Sequence, residues 1–197
     1  MSPPLVLPHR LLPAGPCFHF GMQPRTLLLF VATNAAAGSI SDLSKQQLHK
    51  RRGQLHEFDY EGLIFELFLP WSWRPATTVS YPVLIFLHGR GESGGFGVTN
   101  AQSLPLQLLS NQSFATSFPF ISIVPQCPAE CAMENHWLAA TLQAVTGLVH
   151  NWVVPVVGGD PARVYLSGQS MGGHGAWTYA AQQPRLFAGL IVVCGCE

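Results

Sequence analysis

The stretch VYLSGQSMGGHGAW, residues 164–177, decides how the rest of the chain can be interpreted. It begins with apolar residues typical of a buried strand and continues into a glycine-rich segment that leads into a predicted helix. Residues 168–172 have the pattern G-x-S-x-G, with Ser170 at the centre. Between a strand and a helix, this pattern is typical of a nucleophile elbow, a strained turn that lifts the serine hydroxyl above the edge of the sheet. Gly168 and Gly172 would remove the Cβ atoms that clash in such a turn. The pattern favours Ser170 as a catalytic nucleophile over an ordinary glycine-rich turn.

Strands and helices are predicted to alternate along the chain on either side of this stretch. An apolar residue recurs every three or four positions from Leu138 to Trp152, and a second helix is expected over residues 170–183, before Pro184. Strands that alternate with helices indicate an α/β fold with an open, doubly wound, mostly parallel sheet. The remaining predicted strands are the apolar runs at residues 60–70, 81–89, 118–126 and 189–196.

Backbone N–H groups near Ser170 are candidates for binding an oxyanion. The glycine-rich turn LHGRGESGG, residues 87–95, follows a predicted strand directly and can aim the N–H of Arg90 at the same point as Ser170. Alone, this turn could also be a phosphate-type loop or a plain turn. The N–H of Met171 lies at the start of the helix after Ser170, where it points toward developing negative charge. The segment IVPQCP, residues 123–128, ends the next strand and is expected to border the site.

These motifs together resemble the α/β-hydrolases, in the branch of dienelactone hydrolase, phospholipase/carboxylesterase and polyhydroxybutyrate-depolymerase-like esterases. Some members of this branch are described as predicted peptidases. The matching segments are LHGRGESGG, VPQCP, GGDPARVYLSGQSMGGHGAW and AGLIVVCG. The resemblance implies a three-layer α/β/α sandwich, Ser170 as nucleophile, the N–H groups of Arg90 and Met171 as oxyanion donors, and His88 and Gly89 as supporting residues. It also implies a small-molecule ester as substrate.

The partners of the serine are not found where the family would have them. In this fold the triad order is Ser, then Asp or Glu, then His. After Ser170 the sequence holds a single acid, Glu197, and a single histidine, His174. His174 belongs to the first turns of the predicted helix, whereas the serine hydroxyl points away from the helix body, so we interpret His174 as a structural residue. The triad acid and histidine are therefore unknown, and we expect the last strands of the family sheet to be missing.

Three other residues have alternative interpretations. His136 and Trp137 border the pocket, cap the following helix or lie on a surface loop, and Asp160 is interpreted as a turn residue. The sequence thus predicts a serine hydrolase of carboxylic esters, weak or inactive as given because the serine lacks its base. The alternatives are a non-catalytic α/β-hydrolase-fold module for binding or regulation, and a serine peptidase.

The charge composition of the chain argues against a nucleic acid as partner. Ten lysine and arginine residues balance ten acids, and the only dense basic stretch, HKRR at residues 49–52, is too short for nucleic-acid binding. We interpret this stretch as a solvated leader or linker. Apolar residues make up 48% of the chain, as expected for a buried core.

We expect no cofactor and no metal site, since the cysteines lack finger-like spacing. Cys127 and Cys131 form a local disulfide in an oxidising compartment or are small apolar fillers.

The first 41 residues have the composition of a leader, since the first acid is Asp42. A segment from Met22 carries Arg25, an apolar run and small residues at 35–37, which is the layout of a secretory signal. The run is too short for an integral membrane span. We therefore expect secretion; a mitochondrial or plastid transit peptide, or a disordered tail on a cytoplasmic protein, are the alternatives. The predicted organisation is a leader at 1–41, a linker at 42–56 and an incomplete α/β-hydrolase domain at 57–197.

Overall fold

The structure is a computed structural model that describes residues 38–40, 43–75, 79–94 and 103–195. Its strands are β1 (Gly38–Ser39), β2 (Leu55–Tyr60), β3 (Leu63–Phe68), β4 (Tyr81–Leu87), β5 (Ile121–Pro125), β6 (Gly159–Gln169) and β7 (Gly189–Val193). Its α-helices are α1 (Lys45–Lys50), α2 (Leu104–Ser110), α3 (Gln112–Ser117), α4 (Ala129–Glu134), α5 (Ala139–Leu148) and α6 (Met171–Gln182). A 3₁₀-helix spans Arg90–Glu92, and a π-helical segment, Val149–Val157, continues α5.

The strands form one mixed sheet in the order β1-β2-β3-β5-β4-β6-β7. β3 is antiparallel to both of its neighbours, whereas β5, β4, β6 and β7 are all parallel. The predicted α/β fold with a mostly parallel sheet is confirmed. The carboxyl ends of the parallel strands meet at one edge, and Ser170 follows β6 there.

Helices cover both faces of the sheet, which explains the nearly unbroken apolar runs of the central strands. On one face Val83, Ile85 and Leu87 of β4 are buried in the main core with α5 and α6. On the other face Phe68 packs with Leu108 and other residues of α2 and α3. Both faces of these strands must therefore be apolar, so their sequences do not alternate.

The helical run Ala139–Val157 is long and apolar enough to cross a membrane by length and composition, the single such helix in the described part of the chain. Its predicted apolar stripe instead packs on the sheet. Leu142, Val145, Val149 and Trp152 are all buried in the main core. The hydropathy of this run is therefore that of a core helix.

Most of the segment predicted as a linker, residues 43–56, is described by the structure, and it contains helix α1 and the beginning of β2. Ser44 caps α1 by accepting the N–H of Gln47, and the side chain of Gln47 accepts the N–H of Ser44 in return. Leu48 of α1 is completely buried. A helix of six residues with one core residue has too little periodicity to stand out in a polar stretch.

Paired strands are present before Glu57, the first residue of the predicted domain. β2 starts at Leu55 and forms a hairpin with β3, and β1 pairs with β2. Ile40, inside the predicted leader, is 1% exposed. The predicted secretory signal, at residues 22–37, lies outside the described residues.

Candidate active site

Ser170 occupies a sharp turn between β6 and α6. Its backbone has φ 54° and ψ −122°, a conformation that is unusual for a residue with a side chain. The Ser170 N–H donates to the carbonyl of Val193 (2.8 Å), and its carbonyl accepts the N–H of His174 (3.0 Å). Such a conformation costs about 1–3 kcal/mol and persists only where the surroundings hold it. The turn leaves the Ser170 side chain exposed at the carboxyl edge of the sheet.

Two glycines permit the close packing around this turn. A Cβ atom on Gly168 would lie 2.1 Å from the carbonyl oxygen of Gly172. A Cβ atom on Gly172 would lie 2.1 Å from the carbonyl oxygen of Leu87, at the end of β4. Both clashes are with backbone, which cannot rotate away. The G-x-S-x-G spacing therefore allows α6 to start directly against β4 and β6.

Two backbone N–H groups lie close to the serine. Met171 is the first residue of α6, and Arg90 is the first residue of the 3₁₀-helix. N–H groups at these positions have no partner within their own helix. Gly89 brings the second helix near, since a Cβ atom on Gly89 would lie 3.6 Å from the Cβ of Ser170. The turn after β4 and the turn after β6 thus meet at Ser170.

His88 is buried beneath the Arg90 turn and joins it to the core. Its Nε2 accepts the N–H of Cys127 (3.0 Å), so the ring proton is on Nδ1 and is donated to the Gly89 carbonyl (2.7 Å). The Trp137 indole N–H donates to the His88 carbonyl (3.1 Å). Burial lowers the pKa of His88, opposed by the hydrogen bond to Gly89 and the charge of Glu92. His88 is therefore neutral and holds the Arg90 turn against the core. Both of its ring nitrogens have hydrogen-bond partners other than Ser170.

Residues after β5 also hold the Arg90 turn in place, and the sequence analysis did not identify these contacts. The Gln126 side-chain amide donates to the carbonyls of Glu92 (2.6 Å) and Cys127 (3.0 Å). Arg90 Nε donates to the carbonyl of Ala132 (2.7 Å) in α4. Cys127 and Cys131 form a disulfide, which decides between the two alternatives for this pair. Gln126 and Cys127 lie in the segment VPQCP, which the sequence analysis expected only to border the site.

The remaining candidates do not contact the Ser170 hydroxyl. His174, half-buried on α6, and exposed His136 line a cavity of about 230 Å³ with Trp137. Asp160 caps its own turn, where it accepts the N–H of Ala162 (2.9 Å). Throughout the described ranges, no imidazole or carboxylate hydrogen-bonds to the Ser170 hydroxyl. Those ranges also contain no cluster of three or more histidine, cysteine or acidic residues that could hold a metal ion.

Residues 63–196 match the family model described as "Putative esterase". The chain belongs to this esterase family. The match covers the strands and turns that form the site, from β3 to the end of β7. None of the curated proteins matches the chain.

Solved esterase structures have a similar fold. A thermostable esterase has a TM-score of 0.57 and 26% identity, over 73% of this chain and 41% of that protein. An acetyl xylan esterase from Aspergillus awamori has a TM-score of 0.50 and 19% identity, over 73% of this chain and 54% of that protein. The matched part of the chain thus spans about half or less of these structures. The resemblance to α/β-hydrolase esterases is confirmed, whereas the branch within them stays a prediction.

Proposed function

We propose that this member of the esterase family is a serine hydrolase of carboxylic esters with Ser170 as its nucleophile. The observation that carries the proposal is the strained, exposed serine at φ 54°, next to two helix starts whose first N–H groups have no partner within their own helix. Strain of this kind is retained where it serves a function. The strand–serine–helix arrangement is the one that a nucleophile elbow requires.

The proposed reaction is acyl transfer. Ser170 Oγ attacks the ester carbonyl carbon and gives up its proton to a base, and the carbonyl oxygen becomes an oxyanion that accepts the N–H groups of Arg90 and Met171. The C–O bond to the alcohol then breaks, and the alcohol leaves with a proton. Water attacks the acyl-serine in the same way and releases the carboxylic acid. One oxyanion donor of this kind contributes about 10²–10³ in kcat.

The base is the missing element of this proposal. No described histidine side chain hydrogen-bonds to the Ser170 hydroxyl, and His88 uses both of its ring nitrogens elsewhere. A serine hydroxyl without a base is a poor nucleophile. In well-studied triads, loss of the histidine costs on the order of 10⁶ in turnover. We therefore expect this polypeptide to hydrolyse esters slowly.

The test combines an activated-serine probe with a chromogenic ester. A fluorophosphonate probe is expected to label Ser170 slowly, and p-nitrophenyl acetate to be hydrolysed at a low rate that Ser170→Ala abolishes. Ser110→Ala is the matched control, because Ser110 is an exposed serine on α2. Labelling that survives in Ser170→Ala contradicts the assigned nucleophile. Rapid turnover that depends on Ser170 contradicts the absence of a base.

The second candidate is a non-catalytic module with the same fold, kept for binding or regulation. The missing hydrogen bond to the Ser170 hydroxyl favours it. Complete absence of labelling at Ser170, in protein whose fold is confirmed by circular dichroism, would support this candidate over the first.

A further inference from the structure

Half of the lysine and arginine residues of the chain lie in a short part of it, residues 45–74. Gly53 brings α1 to the end of β3, because its N–H donates to the Leu69 carbonyl (2.6 Å). The basic residues before β2 and after β3 therefore meet at the open end of the β2–β3 hairpin. These residues are Lys45, Lys50, Arg51, Arg52 and Arg74.

Among the residues that the structure describes, no carboxylate forms an ion pair with a member of this cluster. Asp59 and Glu61 lie at the other end of the hairpin, where β2 turns into β3, and Glu57 and Glu66 lie opposite each other within it. The one ion pair within the described residues joins Arg163 to Asp160. The cluster thus keeps its positive charge.

Arg52 at the centre of the cluster has an unsatisfied donor. Its Nη1 donates to the His49 carbonyl (3.2 Å) and contacts the His49 ring, and its guanidinium lies 5.7 Å from the centre of the Trp71 ring. Its Nε is buried without a hydrogen-bond partner. A buried N–H without an acceptor destabilises the fold. The Nε side of a guanidinium is also part of the fork that binds carboxylate or phosphate with two parallel hydrogen bonds.

Arg74 supplies a second guanidinium in a fixed position. Its Nη1 donates to the carbonyls of Trp71 (2.9 Å) and Trp73 (2.9 Å), while the side chain as a whole is exposed. Burial, and then the charges of Arg52 and Arg74, lower the pKa of His49, so both guanidinium groups act on the same ring. Trp71 is 39% exposed and offers an apolar ring face beside them.

We propose that Arg52, Arg74 and Trp71 form a binding site for an oxyanion, the carboxylate, sulfate or phosphate group of a ligand. The oxygens of this group accept an N–H from each of the two guanidinium groups, and the ligand's ring or chain lies on Trp71. The ligand is a free small anion or a charged sugar of an anionic polysaccharide, since both present the same group.

The oxyanion site lies at the opposite edge of the sheet from Ser170. Phe68, at the end of β3, pairs with Ser122 near the start of β5. Ser170 instead follows the carboxyl end of β6, which is parallel to β4 and hence to β5. Strands of this length span about 17–23 Å. Occupation of the site is therefore independent of the proposed ester hydrolysis.

The test is a titration of ¹⁵N-labelled protein with inorganic phosphate, galacturonate and polygalacturonate at constant ionic strength, with the arginine Nε–H signals as readout. The Arg52 Nε–H signal is expected to shift in a saturable way. Arg52→Gln and Arg74→Gln should each weaken binding about tenfold, because a charge-assisted hydrogen bond contributes about 1.5 kcal/mol or more. Preference for the polymer over galacturonate identifies a polysaccharide, and equal binding of small anions identifies a free ion.

Two variants that each remove one positive charge distinguish specific binding by Arg52 and Arg74 from non-specific attraction of anions by positive charge. Lys50→Gln removes a charge from α1 itself, and Arg185→Gln removes an exposed one after α6. Both should bind phosphate and polygalacturonate as the unmodified chain does, with all variants folded by circular dichroism. The proposal fails if no anion gives a saturable shift, or if Lys50→Gln weakens binding as much as Arg52→Gln.

Discussion

Ser170 shows how a single residue can be held in a conformation that its own chemistry disfavours. The backbone strain at φ 54° is balanced by two main-chain hydrogen bonds and by the contact of α6 with β4. Gly172 is central to that contact, because its missing Cβ leaves room for the Leu87 carbonyl. The conformation of the site therefore depends on Gly172 as much as on Ser170.

Gly172→Ala is expected to destabilise the fold by about 2–4 kcal/mol, the range for severe backbone or packing conflicts. The new methyl group would lie 2.1 Å from the Leu87 carbonyl oxygen, so α6 or β4 must move. Chemical denaturation followed by tryptophan fluorescence measures the loss. Gly91→Ala is the control, since a Cβ atom on Gly91 meets nothing within 4 Å. A Gly172→Ala protein as stable as the Gly91→Ala protein would contradict the packing described here.

The sequence could place the residues of the site that are set by local pattern, and it missed those set by distant contacts. The G-x-S-x-G segment marks its own strand, turn and helix within a few residues. The hydrogen bond from Trp137 to His88 joins residues 49 positions apart, and that between Gln126 and His88 spans 38 positions. Nothing in the neighbouring sequence encodes which distant partner a tryptophan or glutamine will have.

At the scale of elements, long apolar segments were predictable and short polar ones were not. The helical stripe of α5 and the runs of β4 and β5 have enough apolar residues to define their period or burial. α1 has a single buried residue in six, and β2 has a single buried residue, Phe58, in its six. Such elements fold because the hairpin and the core provide contacts, so their sequences alone resemble a linker.

Strand β7 exposes two apolar side chains. It lies at the end of the strand order and pairs with β6 alone among the described strands. Ile191 is 54% exposed and Val193 is 45% exposed, on the same face. An exposed apolar edge strand favours pairing with another chain. We therefore expect concentration-dependent association, and Ile191→Lys should reduce it, as measured by sedimentation velocity.

The control for this prediction is Met133→Lys, which adds the same charge at an exposed apolar residue of α4. If the chains associate through β7, the Met133→Lys protein should sediment as the unmodified chain does. An unmodified chain that sediments as a monomer at all concentrations would refute the prediction, as would equal effects of the two lysines.

At the scale of the whole molecule, the stability of the fold should depend on one buried carboxyl group. Glu66 lies in β3 directly opposite Glu57 of β2, and its Oε2 is buried without a partner. Burial, and then the charge of Glu57, raise the pKa of Glu66 from its ordinary value of 4.5 to about 7. The folded protein therefore holds this proton more tightly than the unfolded chain does. A raised pKa in the folded state contributes stability that is fully present below pH 4.5 and is lost as the pH rises through 7.

Glu66→Gln should remove this dependence, because the amide stays neutral at every pH. The variant should be more stable than the unmodified chain at pH 8, by about 3 kcal/mol, and close to it at pH 4. Denaturant titrations across pH 4–8 measure the difference. Glu57→Gln should show a smaller gain at pH 8, since it removes the second cause and leaves burial in place. Exposed Glu134→Gln is the control, and a parallel pH profile for Glu66→Gln and Glu134→Gln would show that Glu66 does not carry the proton.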